Sequence, residues 1–438
     1  MTIDTEIFKF VERLKATTLS QRNPVRTKEP LKGHEPIIDL GEITDLKITQ
    51  FHEVDGSTTS KLISVEEKMV GLNDSDFAEF KSYVLKLLDV PPFSDSCTVD
   101  FIIDRSFDWL ISVYKNKKAE ASLTTHLLDC IEKETTIHHF YFKIESLAIA
   151  RQIQIGEVSI MFFTEQEIQE MYAVFIQEKP NTTFEEFKKT YKGLSKINAH
   201  IKIKGVPDRA EEIAKRHIEL AVDTLKCYCI QHAIESKVLM FDLDYRIKKE
   251  GSASFINIPQ GEFKNSTIQF RNLAGVIPVE LDTETIDRFI KKGLLVIADF
   301  LIARKENELY YATIALISQL SEINSTSNNH EKIVKAISLC ESILLPRSSS
   351  GKAKGITRIK KALPKIIPGL EDRAIIDEFL VDFYKIRDQY LHNGTRRPIQ
   401  KDLLFFFLDF QRVLILKLID LNKTMTALDE VLEYFEIT

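Results

Sequence analysis

Arg387 and His392 are the two residues whose types and spacing most suit chemistry in this chain of 438 residues. An arginine stays charged and presents a planar fork that fits a phosphate or a carboxylate. A histidine changes charge near neutral pH, which suits general acid–base work. Arg396 and Arg397 follow within a turn, and Pro398 stiffens their exit. An acid–base histidine with arginines and no carboxylate cluster suits metal-free phosphodiester cleavage, in which a ribose 2′-hydroxyl attacks its own phosphate. The sequence near the pair holds no cage of carboxylates or histidines for catalytic metals, so no metal and no cofactor is expected. A bland reading stands beside this one: an arginine in a surface ion pair and a histidine capping carbonyls.

The element that must position the pair is the stretch Phe383 to Gly394. Apolar Ile386, Tyr390 and Leu391 alternate with polar residues at helical spacing. Asn393-Gly394 then acts as a stop, since both residues tolerate the left-handed conformation that ends a helix. His392 thus falls at the helix C-terminus, where the macrodipole favours an imidazolium. Five residues of helix separate the pair by roughly 140° around the axis. Either the last turn distorts or a second chain contributes before Arg387 and His392 converge on one ligand. Pairing two such helices about a two-fold axis would satisfy the second option.

The run Arg387-Asp388-Gln389-Tyr390-Leu391-His392 resembles the R-polar-x-x-x-H motif of the HEPN superfamily, and its surroundings resemble the Apea-like branch. That branch has a helix ending in an E-S-L-L-L-P-like run, a variable loop, an acidic helix start and Y-x-x-R-x-x-x-x-H-x-G. Here the order reads Glu341-Ser-Ile-Leu-Leu-Pro346, a loop to Leu370, Glu371-Asp372, then Tyr384 through Gly394. The resemblance covers residues Asp282 to Thr438, about a third of the chain. It implies an all-α domain acting as a dimeric endoribonuclease. His392 would be the general acid–base, Arg387 the cation at the phosphate, and Asp388 the residue that orients one of them. Tyr384, Asn393, Arg396 and Arg397 would bind RNA. By family analogy the protein would be a toxin-like effector of bacterial defence against phage, answering to a phage-derived trigger or an inhibitory partner. The alternative is a non-catalytic HEPN-like adaptor that binds RNA or protein through the same helices.

Composition sets bounds on this. A chain with 44% hydrophobic and 28% charged residues is ordinary for a globular protein of two or three domains. No opening apolar run reads as a signal peptide and no stretch reads as a membrane span. Five scattered cysteines fit reduced thiols, so a cytoplasmic location is expected. The net charge of −6 does not advertise a polyanion binder, so basic charge must be local. Between Glu341 and Glu371 there is no acidic residue, while Arg347, Lys352, Lys354, Arg358, Lys360, Lys361 and Lys365 are basic. Ser348 to Gly351 reads as a loop, and Ile356 to Leu363 as a short helix stopping at Pro364. Lys352, Lys354, Arg358, Lys360 and Lys361 are candidate RNA contacts. A solvated loop is the plain alternative.

The expected fold class is α+β, a mixed α/β region over residues 1–280 followed by a helical bundle over 281–438, with a sub-boundary near 205. In order, a helix is expected at Asp4–Lys15, strands within Ile37–Val54, a helix from Ser75 to Leu88 capped by Asp74 or Ser75, and a strand at Cys97–Ile103. Further strands are expected at Phe140–Ile144, Glu157–Phe163 and Ala199–Lys204, and helices at Glu165–Gln177, Phe184–Tyr191 and Asp208–Ala233. Gly251 to Pro278 reads as the boundary, with short β-like pieces. Beyond it the helices are Glu284–Arg304, Glu308–Ile323, Glu331–Leu345, Arg373–His392, Lys401–Asn422 and Met425–Phe435. Leu403–Leu421 is apolar enough to be a core helix or the seam of a homodimer through the bundle.

Other constellations are weaker. Ser349-Ser-Gly-Lys352 lacks the first glycine and final Ser or Thr of a phosphate loop. Cys227 and Cys229 point to nearly opposite sides of a helix, so with His232 they do not make a metal site. Asp242 and Asp244 would share a strand face without a third acid in view. His138-His139 has no spacing that selects a metal.

Overall fold

The computed structural model describes residues 3–17, 48–52, 58–65, 68–235, 241–246, 253–259, 264–268, 278–345, 353–367, 369–394 and 396–436. The chain is α+β, and it divides into two compact units. Unit 1 comprises residues 1–136 and 204–211, and unit 2 comprises 137–203 and 212–438. The division therefore falls elsewhere than near residue 280. The C-terminal helices share a unit with the strands that begin at Ile137.

Unit 1 holds α1 (Ile3–Phe8), β1 (Lys15–Thr17), β2 (Ile48–His52), β3 (Thr58–Val65), β4 (Lys68–Gly71), α2 (Asp74–Leu85), α3 (Phe93–Ser96), α4 (Val99–Asn116) and α5 (Leu123–Glu134). The strands form an antiparallel sheet in the order β1-β4-β3-β2. Asn73 caps α2 in place of Asp74 or Ser75, accepting from the Asp76 N–H at 2.8 Å. The strand expected at Cys97–Ile103 is the start of a helix. The Thr98 side chain accepts from Phe101 N–H, and the alternation gives way to a helical period over Phe101, Ile102, Phe107, Leu110 and Ile111, all buried. Phe10, Phe77, Phe80 and Phe107 meet edge-on or tilted at 5.8–6.0 Å in its core. The strand expectation for residues 37–47 lies outside the described residues.

Unit 2 opens with β5 (Thr136–Glu145, whose first residue belongs to unit 1), β6 (Leu147–Ile149), β7 (Ile153–Ile155), β8 (Val158–Met161), α6 (Glu165–Glu178), α7 (Phe184–Thr190) and β9 (Asn198–Gly205). There follow α8 (Pro207–Tyr228), α9 (Ile230–Glu235), β10 (Asp242–Leu243), β11 (Ala253–Pro259), β12 (Lys264–Ile268) and β13 (Val279–Leu281). The end of β9 and the first turn of α8, residues 204–211, are counted with unit 1. The main sheet runs β12-β11-β5-β9-β8-β7, with β10 also on β5, and β13 pairs in parallel with β6. Thr164 and Thr183 begin α6 and α7 with capping boxes closed by Glu167 and Glu186.

The helical part contains α10 (Thr283–Lys291), α11 (Leu294–Ala303), α12 (Glu308–Ser325), α13 (Asn329–Leu344), α14 (Ala353–Ile366), α15 (Leu370–Asn393), α16 (Lys401–Leu421) and α17 (Leu428–Tyr434). The single helix expected over Glu284–Arg304 is two. Gly293 takes the left-handed conformation at φ 99°, and a Cβ there would lie 2.9 Å from a Leu416 methyl. α16 packs against α9, α11, α12, α13, α14 and α15. Leu404, Phe407, Leu408, Phe410, Leu414, Ile415 and Leu418 are buried, so core packing consumes most of the run offered as a seam. Among the described residues no helix is long and apolar enough to cross a membrane.

Candidate functional site

The helix that carries Arg387 and His392 exists because Ile376, Leu380, Phe383 and Tyr384 recur at i, i+4, i+7 and i+8 and are all buried. Phe383 meets Phe407 of α16 at 4.9 Å between ring centres. The helix ends at Gly394, in the left-handed conformation at φ 63°, whose N–H reaches the carbonyls of Gln389 and Tyr390. It stays α-helical through Asn393, so its last turn does not distort. His392 and Asn393 are exposed at this end, with Arg396 and Arg397 exposed just beyond. Arg387 lies on the buried side, 8% exposed. One chain therefore does not bring Arg387 and His392 onto one face.

Arg387 is held on three sides. Its Nε and Nη2 both donate to Asp388 Oδ1 at 3.1 Å, and its Nη1 donates to Glu341 Oε1 at 3.1 Å. Its guanidinium lies 4.5 Å from the centre of the Tyr384 ring. Tyr384 donates its hydroxyl to the same Glu341 oxygen at 2.8 Å, and burial together with that carboxylate pushes the phenol pKa up. Three of the five guanidinium N–H groups are thus spent on carboxylates, leaving two. Gly355 of α14 closes the frame: a Cβ there would meet the Tyr384 hydroxyl at 2.8 Å and Glu341 Oε1 at 2.9 Å. Only glycine lets the two helices approach so closely.

Asp388 pairs with Arg387, the first of its two expected partners. Tyr384, expected to face RNA, is instead 4% exposed and belongs to the frame under Arg387, because its hydroxyl is taken by Glu341. The basic segment continues as helix past Pro364 to Ile366, since Ala362, Leu363, Ile366 and Ile367 are buried and anchor it. Lys360 pairs with Asp377 at 3.0 Å, while Lys365 reaches the Tyr434 carbonyl and Glu436. Lys361 is exposed and Arg358 half-buried. Arg347 and Lys352 lie outside the described residues, as does the side chain of Lys354.

Two contributors escaped sequence reading. Glu341 was visible only as a letter in a helix-end run, and its role follows from α13 packing on α15. His330, on the first turn of α13, stacks on Tyr390 at 5.4 Å and hydrogen-bonds the Arg397 carbonyl through Nε2 at 2.8 Å. It stands 62 residues from His392, and no local pattern marks it. Among the described residues no group of three or more His, Cys, Asp or Glu is arranged to hold a metal ion. Asp242 is instead paired with Lys226 at 2.6 Å, and Cys227 and Cys229 are buried thiols. No family model matches the chain, and no curated protein or solved structure matches it either.

Proposed function

We propose that this chain is a metal-independent endoribonuclease of HEPN type, with His392 as general acid–base and Arg387 as the cation at the scissile phosphate. The observation that supports it most is the ending of α15. A regular helix stopped by Gly394 presents His392 to solvent next to Arg396 and Arg397, while Arg387 is held in one orientation by Asp388 and Glu341. His392 would take the proton from a ribose 2′-hydroxyl, whose oxygen attacks phosphorus and expels the 5′-oxygen; that oxygen leaves as a hydroxyl with a proton from water, and a 2′,3′-cyclic phosphate remains. The two N–H groups that Arg387 has left would meet charge building on the phosphoryl oxygens. Because α15 stays regular, this reading needs a second copy whose His392 reaches the edge of the first chain's Arg387. Val381, Lys385, Leu391 and His392 are exposed on α15 and available to such a pairing.

A second reading is favoured by one observation: Arg387 is buried and faces two carboxylates. This is also how a purely structural arginine would be held, in a non-catalytic module that binds RNA or protein. Incubating the purified chain with total RNA, with His392→Ala alongside, separates the two. His392 is exposed, so its truncation leaves no core cavity. The enzyme reading expects cleavage by wild type, loss in the variant, and altered activity when the two are mixed. Equal cleavage by both proteins would remove His392 from the mechanism, and RNA binding without cleavage by either would favour the module.

A further inference from the structure

Away from α15, unit 2 contains a cleft of about 430 Å³ between the end of α8, α9, β13, α10 and the start of α16. That volume lies within the range of about 300–1,000 Å³ in which small-molecule sites fall. Its floor is aromatic. Tyr228 and Phe289 meet at 5.5 Å between ring centres, and Phe405 lines the cleft beside them. Tyr228 is 6% exposed, and among the described residues its hydroxyl has no well-aligned hydrogen bond, only a poorly aligned contact with Arg412. Arg412 is the neighbouring cation, 5.3 Å from the ring centre, but it directs its N–H groups at Asp409 and the Lys292 carbonyl. A buried hydroxyl with so poorly aligned a partner costs free energy, and a ligand atom in the cleft would relieve it.

The mouth carries two cations on one face of α10 and its cap, Arg288 and Lys292. Arg288 is exposed and donates to the Thr285 hydroxyl at 3.2 Å, with no ion pair among the described residues. Lys292 stands 3.5 Å from Asp409, but that carboxylate is already gripped twice by Arg412, at 2.8 and 3.2 Å. The Lys292 ammonium also lies 5.4 Å from the centre of the Phe405 ring, so cation and aromatic surface adjoin. Gln231, His232, Glu235 and a second carboxylate, Glu280, also line the cleft; burial lowers the His232 pKa, which favours a neutral ring with one donor and one acceptor.

We propose that this cleft binds a mononucleotide, with its phosphate on Arg288 and Lys292 and its base against Tyr228, Phe289 and Phe405. Aromatic rings accept any base face, while the fork of Arg288 suits a phosphate. His232 and Glu235 offer hydrogen bonds to the base edge, Glu235 as an acceptor for an exocyclic amino group such as that of adenine. The Tyr228 hydroxyl would gain a better-aligned partner than Arg412 gives it. The inference stands apart from the endoribonuclease reading, because none of its residues belongs to α15 or to the loop after it.

Calorimetric titration of the full chain with AMP, adenosine and inorganic phosphate tests it. AMP should bind, with adenosine and phosphate each at least tenfold weaker. Arg288→Gln, on an exposed side chain, should weaken AMP at least fivefold, and Tyr228→Phe should weaken it severalfold. Arg396→Ala/Arg397→Ala should leave AMP affinity unchanged. The proposal is overturned by no AMP binding at millimolar concentration or by an affinity that ignores Arg288→Gln. It is equally overturned by binding lost only in the Arg396/Arg397 variant, which would put the nucleotide at the end of α15.

Discussion

Replacing Lys332 by methionine should stabilise the protein at neutral pH and remove a rise in stability with pH that is expected of the wild type in alkali. Lys332 sits on the first turn of α13, is 1% exposed, and donates to the Ala233 carbonyl of α9, with no carboxylate paired to it among the described residues. Burial lowers its pKa from 10.5 to about 8. The folded chain therefore releases this proton near pH 8, and the unfolded chain near 10.5. Between those values the unfolded state binds more protons, so stability rises with pH. The interval is about 2.5 pH units, and at about 1.36 kcal/mol each the buried charge costs on the order of 3 kcal/mol below pH 8. Methionine keeps most of the volume and no charge, but it leaves the buried Ala233 carbonyl without this donor, at about 1–3 kcal/mol. The net gain at pH 7 should be about 0.5–2 kcal/mol, reversing by pH 10.5. Urea denaturation followed by circular dichroism at pH 7, 8, 9 and 10 measures it. Trp109, the only tryptophan, lies in unit 1 and reports whether that unit shares the change. Wild-type and variant midpoints that run parallel across this range would refute the buried ammonium.

Further outcomes can be checked in parallel. Gly394→Ala places a Cβ at φ 63° with nothing within 4 Å, so denaturation should show a loss of about 1–2 kcal/mol from backbone strain alone. Glu341→Gln removes the charge shared by Tyr384 and Arg387, and should cost about 1–3 kcal/mol in the same assay; no loss would mean the frame is held elsewhere. Burial lowers the His200 pKa to about 4, with His139 and Lys202 adding to it. Between about pH 6.5 and 4 the unfolded state thus binds the extra proton and stability falls with acid, a slope that His200→Phe should flatten in acid titration. RNA cleavage should survive a chelator; activity lost in EDTA and restored by magnesium would count against the proposed mechanism.

What the sequence determined by itself is local. The periods of Glu165–Glu178, Phe184–Thr190 and Glu308–Ser325 and the stop at Gly394 depend on neighbours within a few residues, and all were readable before any packing was known. The α+β class follows from the same patterns. Reading failed where a longer-range contact outweighed the local signal. Cys97–Ile103 alternates like a strand, but Thr98 caps a helix that continues to Asn116, and the core of unit 1 buries its face. Gly293, at φ 99°, splits the helix expected over Glu284–Arg304, and Leu416, 123 residues away, leaves no room there for a side chain. The resemblance puts Tyr384 among the RNA-binding positions, but the hydroxyl is taken by Glu341 from another helix. The identity of Arg387 was legible, but its partners were not. Burial and ion pairing are set by which helices pack on α15, and only the tertiary structure decides that Glu341, Tyr384 and Gly355 meet around one guanidinium.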